Sequence, residues 1–128
     1  MDPTTRHPIL VLGGTGKTGR RVAQRLQALG RPVRIGTPSS QPPFDWDDQA
    51  TWAPALGDVD AVYLTYYPDL AAPGAAAAVG AFADLAVERG VRRLVLLSGR
   101  GEEGARRGER ALQQSGADWT IVRSAFMA

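Results

Sequence analysis

Three glycines at a regular spacing stand near the start of the chain, in the segment VLGGTGKTGR. Gly13, Gly16 and Gly19 form the pattern GxxGxxG, between an apolar run and a helix-like segment. In that position the first glycine can let a strand turn sharply, the second can bring backbone close to a pyrophosphate, and the third can let the helix lie against the strand. The spacing therefore indicates phosphate binding by backbone amides at a helix N-terminus.

The letters GKT in the same segment also suggest the phosphate loop of a nucleoside triphosphatase. That loop needs a glycine five positions before the glycine of GKT. The residue five positions before Gly16 is Val11, inside the apolar run. The spacing therefore excludes this loop and favours dinucleotide binding over a plain strand-to-helix turn.

Short apolar runs alternate with helix-like segments along the rest of the chain. Strands are predicted at 8–12, 32–37, 43–46, 60–67, 92–99 and 118–123. A first helix is predicted where Val22, Leu26 and Leu29 recur at helical spacing, ending before Gly30. Further helices are predicted from Asp47 or Asp48 to Leu56, at 73–90 and at 105–115. The alternation predicts one α/β domain over residues 1–128, with helices on both faces of a parallel sheet of about six strands. The expected arrangement is the Rossmann-type doubly wound sheet in the order 3-2-1-4-5-6, because that is the order of the dinucleotide fold. A ligand is then expected at the carboxyl ends of strands one and four, where the winding reverses.

Composition excludes several other classes of function. With 44% hydrophobic and 22% charged residues the chain is expected to fold, and with no cysteine it has no thiol nucleophile or disulfide. The net charge is only +2, and the arginines between 89 and 110 are interleaved with acids, so nucleic acid is not an expected partner. The single histidine, His7, precedes strand one, and no metal-ligand spacing is present. The apolar run at 9–12 is too short for a signal peptide or a membrane span, which predicts a cytoplasmic protein.

Four segments together resemble the NmrA-like branch of the atypical short-chain dehydrogenase/reductases. They are VLGGTGKTGRRVAQRL, FDWDDQATWAPALGDVDAVYL, GVRRLVLLSGRGE and SGADWTIVRSAFMA. The resemblance covers nearly the whole chain and implies a Rossmann fold that binds NADP or NAD. Because members normally continue beyond the RSAFMA position, it also implies the nucleotide-binding portion of a longer protein, or a truncated member.

The resemblance carries cofactor contacts onto particular residues. The implied phosphate loop is Gly13, Thr15, Gly16, Lys17, Thr18 and Gly19. The implied ribose and adenine contacts are Thr37, Ser39, Asp45 and Trp46. The implied groove-lining residues at the ends of strands four and five are Thr65, Tyr66, Ser98 and Gly99.

The region after strand two favours NADP, with NAD as the alternative. NAD enzymes commonly place an acid about 20 residues beyond the glycines, to accept hydrogen bonds from the ribose. The segment TPSS at 37–40 has none. Small hydroxyls beside Arg34, Lys17 or Arg20 would accommodate a 2′-phosphate, which a carboxylate would repel.

The residues at the family's catalytic positions depart from the family pattern. Ser98 matches the family's serine, but no tyrosine or lysine lies between Arg100 and Leu112, and the positions expected for that pair hold Gly101 and Ala105. Reduction by a Tyr/Lys pair is therefore not expected. Two functions stay open: an oxidoreductase-like protein acting on a small carbonyl or quinone, and a non-catalytic dinucleotide sensor that regulates a protein partner. Oligomerisation also stays open.

Overall fold

The computed structural model describes residues 7–13, 17–65, 74–99 and 103–124. The strands are β1 Ile9–Leu12, β2 Val33–Gly36, β3 Ala61–Leu64, β4 Arg93–Gly99 and β5 Asp118–Ser124. The helices are α1 Lys17–Ala28, α2 Trp52–Ala55, α3 Ala75–Glu88 and α4 Glu103–Gln113, and one 3-10 turn, Gln49–Thr51, precedes α2. Within these ranges no helix is both long and apolar enough to cross a membrane.

The five described strands form one parallel sheet in the order β2-β1-β3-β4-β5. From β1 the chain first adds β2 on one side, then crosses back to place β3, β4 and β5 on the other. Right-handed crossovers in these two directions put their helices on opposite faces of the sheet. The predicted doubly wound α/β fold is therefore confirmed, and the observed order is the predicted order without its third strand.

The strand predicted at 43–46 is wrong. Asp45 forms only an isolated bridge with Asp48. The backbone amides that a strand would need for pairing are bonded elsewhere. The Phe44 amide donates to the Thr37 carbonyl at 2.8 Å, and the Asp45 amide donates to Thr51 Oγ1 at 3.0 Å. Pro43 has no amide to add to a ladder. The predicted cap is confirmed at Asp48, whose carboxylate accepts from the Ala50 amide at 3.1 Å.

The main hydrophobic core lies between one face of the sheet and the later helices. Alternate residues of β1, β3 and β4 point to this face and are buried. They are Leu10, Leu12, Val62, Leu64, Leu94 and Leu96. Phe82 of α3 is fully buried against them, together with Phe44 and Trp52 from the connection after β2. On the other face α1 packs on β1 and β2 and buries Ala23.

The Arg34 side chain is hydrogen-bonded to the backbone after α2. Its Nη1 atom donates to the Ala55 carbonyl at 2.8 Å and to the Gly57 carbonyl at 2.7 Å, where α2 ends before β3 begins. This end of β3 is the amino edge of the sheet, opposite the edge where a dinucleotide is expected. The guanidinium thus bonds to backbone at the amino edge, and the expectation that Arg34 assists a 2′-phosphate stays a prediction.

Removing that guanidinium should destabilise the domain. We expect Arg34→Met to keep the apolar stem but lower the free energy of unfolding by about 2 kcal/mol, because charge-assisted bonds to two carbonyls are lost. The matched control is Arg93→Met, whose side chain is 60% exposed and reaches Asp118 at 3.4 Å. That change should cost less than about 0.5 kcal/mol. Equal losses in urea denaturation would refute a structural role for Arg34.

Candidate functional site at the carboxyl edge of the sheet

The carboxyl ends of β1, β2 and β3 meet at one edge of the sheet. The last residue of β1, Leu12, is in register with Gly36 at the end of β2, and Val11 is in register with Tyr63 of β3. The winding of the chain reverses between β1 and β3. In open α/β sheets, the crevice outside such a reversal is the place where ligands bind.

Gly13 makes the turn out of β1 in a conformation that favours glycine. Its φ is +69°, and its amide donates to the Gly36 carbonyl at 3.0 Å. A Cβ atom at this position would lie 2.8 Å from Thr65 Oγ1. Backbone conformation and space therefore both require a residue without a side chain, as the sequence pattern predicted for the first glycine.

Thr65 connects the ends of β1 and β3. Its hydroxyl donates to the Leu12 carbonyl at 3.1 Å, and its own carbonyl accepts from Trp46 Nε1 at 3.0 Å. With the Gly13 bond to Gly36, these contacts join three strand ends and the segment after β2. Hydrogen bonds within the protein therefore hold the backbone in place at this edge of the sheet.

The segment after β2 is held in a compact turn. The Ser40 hydroxyl accepts from the Thr37 amide at 3.0 Å and lies 2.7 Å from the Pro42 carbonyl, to which it donates. The Thr37 side chain is nearly buried, with Thr37 Oγ1 3.4 Å from Ser39 Oγ, while Ser39 is exposed. Ser39 therefore presents a hydroxyl to solvent from a fixed backbone. Sequence reasoning missed the organising role of Ser40, although serine in a Pro-rich turn is a signal for such bonds.

Asp45 and Trp46 are tied into the protein. Asp45 Oδ1 accepts from the Asp47 amide at 2.9 Å, and the Asp45 carbonyl accepts from Trp52 Nε1 at 3.0 Å. The half-buried Trp46 ring contacts the rings of Phe44, Trp52 and Phe82, with centroids 5.1 to 5.6 Å away. Packing is thus one role of Trp46, and its predicted contact with adenine stays a prediction.

The other predicted site residues fall into three groups. Thr15, Gly16 and Tyr66 lie outside the described residues. Lys17, Thr18 and Gly19 form the first residues of α1, and Gly19 is buried. Ser98 and Gly99 end β4, in register with Arg123 and Ser124 of β5, and so reach the same edge of the sheet.

Among the described residues the one tyrosine is Tyr63. Tyr63 lies within β3, and partial burial raises the pKa of its phenol above the ordinary value. A catalytic tyrosine needs the opposite shift, toward neutral pH. The described part of the chain also has no group of three or more side chains suited to hold a metal ion.

Comparisons with known proteins found similar sequences and similar folds. The chain is 39% identical over 105 residues to agroclavine dehydrogenase of Claviceps fusiformis, covering 70% of this chain and 35% of that protein. No known family profile matches. Two solved structures share the fold: a short-chain dehydrogenase/reductase superfamily protein from Agrobacterium tumefaciens with bound NAD, and Citrobacter triphenylmethane reductase complexed with NADP(H).

The two structural matches are close in shape and distant in sequence. The Agrobacterium protein has a TM-score of 0.71 and 24% identity, over 91% of this chain and 48% of that one. The Citrobacter reductase has a TM-score of 0.70 and 18% identity, over 94% and 50%. The chain thus has the fold of known NAD(P)-binding Rossmann proteins, and spans about half of their length or less.

Adding a side chain at Gly13 should destabilise the carboxyl edge of the sheet. We expect Gly13→Ala to cost more free energy of unfolding than Gly30→Ala, since Gly30 has φ +78° but nothing within 4 Å of an added Cβ. Both changes carry about 1–2 kcal/mol of left-handed strain. Only Gly13→Ala also displaces the Thr65 hydroxyl, which adds about 1 kcal/mol.

A double-mutant cycle isolates that contact. In a Thr65→Ala background, which removes the hydroxyl, Gly13→Ala and Gly30→Ala should cost the same. If Gly13→Ala costs no more than Gly30→Ala in the unaltered protein, measured by urea denaturation, the close approach at the edge is refuted.

Proposed function

We propose that this chain is the dinucleotide-binding part of an NAD(P)H-dependent oxidoreductase-like protein that prefers NADP(H). The observation that carries the proposal is the positive-φ turn at Gly13, at the point where the sheet reverses, with α1 beginning four residues later at Lys17. A helix N-terminus directly after such a turn offers free amides and the positive end of the helix dipole to a pyrophosphate. The proposed phosphate loop is therefore residues 13–19.

Preference for NADP(H) is supported by the segment after β2. Residues 37–40 carry hydroxyls and no carboxylate, and Ser39 is exposed there. Since Arg34 bonds to backbone at the opposite edge, Lys17 and Arg20 are the two cations that we retain as partners for a 2′-phosphate. Both lie on the first turn of α1.

The proposed reaction is hydride transfer to a small carbonyl or quinone. A bound nicotinamide would supply the hydride, and this chain would orient it, with Ser98 and Gly99 at the end of β4 facing the same edge. Support comes from the relative named agroclavine dehydrogenase and from the reductase solved with NADP(H). Because the chain spans only 35% of that dehydrogenase, the substrate pocket is proposed to need further residues.

A second function, dinucleotide sensing without turnover, is favoured by one observation. The sequence between Arg100 and Leu112 contains neither tyrosine nor lysine, so the usual proton donor and its activating cation are missing there. A sensor would bind the dinucleotide with similar affinity and pass occupancy to a protein partner. Adding quinones or aldehydes to the protein and NADPH, while following NADPH absorbance, separates the two functions. Oxidation supports the enzyme. Because the substrate pocket is proposed to need further residues, absence of oxidation supports the sensor only when a longer chain that includes them is inactive as well.

Calorimetric titration tests binding itself. NADPH and NADP⁺ should bind more tightly than NADH and NAD⁺, and ATP with magnesium should give no heat because the spacing excludes a triphosphate loop. Gly13→Ala should weaken all four dinucleotides together. No binding by any of the four would refute the proposal for this chain.

Replacing Ser39 by a residue with a carboxylate should reverse the preference for NADPH over NADH. We expect Ser39→Asp to weaken NADPH binding by about tenfold relative to NADH, because the new charge repels a 2′-phosphate and can accept bonds from ribose hydroxyls. Ser39→Asn has nearly the same shape without the charge and is the matched control. If Asn and Asp change the NADPH to NADH ratio equally, or neither does, Ser39 does not lie beside the 2′ position.

A further inference from the structure

The turn after β2 contains a serine whose hydroxyl makes several bonds to the backbone. Ser40 Oγ accepts from the Thr37 amide at 3.0 Å. It lies 2.9 Å from the Thr37 carbonyl and 2.7 Å from the Pro42 carbonyl, and its single proton can be donated to either. One half-buried hydroxyl therefore links Thr37 to Pro42 across the turn.

This turn adjoins the proposed phosphate loop. Thr37 directly follows Gly36, the last residue of β2, and the Gly36 carbonyl accepts from the Gly13 amide at 3.0 Å. The Thr37 carbonyl also accepts from the amides of Ser40 and Phe44, at 3.1 and 2.8 Å. The start of the turn is thus held beside the turn out of β1, and the rest of it is held to Thr37.

Ser39 carries the exposed hydroxyl of the segment TPSS. Thr37 is buried and Ser40 is half-buried, whereas Ser39 is exposed. Ser39 Oγ lies 3.4 Å from Thr37 Oγ1, so the place of Ser39 depends on how Thr37 is held. A serine hydroxyl is a donor that suits a phosphate oxygen. The bonds of Ser40 to Thr37 therefore bear on the hydroxyl that a ligand would meet.

A donor on a fixed backbone binds an anion more tightly than a donor on a mobile one. Ordering a loop when a ligand binds costs conformational free energy and lowers the affinity. Hydrogen bonds to a charged group are stronger than those to a neutral one. NADPH carries a charged 2′-phosphate where NADH carries a neutral hydroxyl. Loosening the turn should therefore weaken NADPH binding more than NADH binding.

We propose that Ser40 is a positioning residue that sets the preference for NADP(H) over NAD(H), because its hydroxyl closes the turn that presents Ser39 to the ribose 2′ position. This role of Ser40 rests on the proposed dinucleotide function, and it makes the preference depend on a residue that does not touch the ligand. Ser40 acts through Thr37 and Ser39, while Lys17 and Arg20 stay the proposed cations for the phosphate.

Calorimetric titration of Ser40→Ala with NADPH and NADH tests this role. We expect the ratio of NADPH to NADH affinity to fall by about fivefold or more, because a hydrogen bond to a charged group is weakened, while NADH affinity changes by less than about twofold. Ser40→Thr keeps the hydroxyl and should keep the ratio. A general loss of folding would weaken both dinucleotides equally and leave the ratio as it was.

Ser115→Ala is the matched control, because Ser115 makes bonds of the same kind at the amino edge of the sheet. Its hydroxyl donates to the Leu112 carbonyl at 2.6 Å and accepts from the Ala117 amide at 3.2 Å, between α4 and β5. Its removal should lower the midpoint of urea denaturation about as much as removal of the Ser40 hydroxyl. The ratio of the two affinities should stay unchanged.

A double-mutant cycle tests whether Ser40 acts through Ser39. Ser39→Ala changes an exposed residue, and it should lower the ratio by itself. In that background Ser40→Ala should change the ratio by less than about twofold, because the hydroxyl that it positions is already gone. Equal effects of Ser40→Ala in the two backgrounds overturn the proposal. So does a ratio that either alanine change leaves unaltered, or that Ser40→Thr fails to keep.

The outcomes separate the role of Ser40 from the proposed function. An intact preference in Ser40→Ala overturns the role of Ser40 and leaves the dinucleotide site supported. Equal affinity of the unaltered chain for NADPH and NADH overturns the preference and, with it, the role of Ser40. Failure of the unaltered chain to bind any dinucleotide overturns the proposed function as well.

Discussion

The close approach of Gly13 to the Thr65 hydroxyl is the constraint on which the carboxyl edge depends. Because a Cβ atom at Gly13 would lie 2.8 Å from that oxygen, the backbone must turn there without a side chain. The same turn points the Gly13 amide at the Gly36 carbonyl, while Thr65 bonds to Leu12. One glycine thus lets three strand ends meet, and it fixes the direction in which the chain leaves the sheet toward α1.

Several polar side chains near this edge are used to hold the protein together. Ser40 fixes the turn after β2, Trp46 bonds to the Thr65 carbonyl, and Asp45 accepts from the Asp47 amide. Arg34, which looked like a phosphate partner, bonds to carbonyls at the opposite edge. For the proposed dinucleotide, the described residues then offer the backbone amides at the start of α1, the cations Lys17 and Arg20, and the exposed residue Ser39. This combination suits a ligand rich in phosphate and ribose oxygens.

Sequence reasoning predicted the parts of the fold that depend on local pattern. The buried runs and the helix between Gly74 and Gly90 follow from side-chain periodicity, and the turn at Gly13 follows from the backbone freedom of glycine. The alternation of elements predicted a parallel sheet, and the strand order was predicted from that of the dinucleotide fold. The strand at 43–46 was predicted wrongly because its amides bond to Thr37 and Thr51, which is a tertiary choice. The backbone bonds of Arg34 could not be predicted for a similar reason, since the reach of a long side chain depends on which elements pack beside its strand.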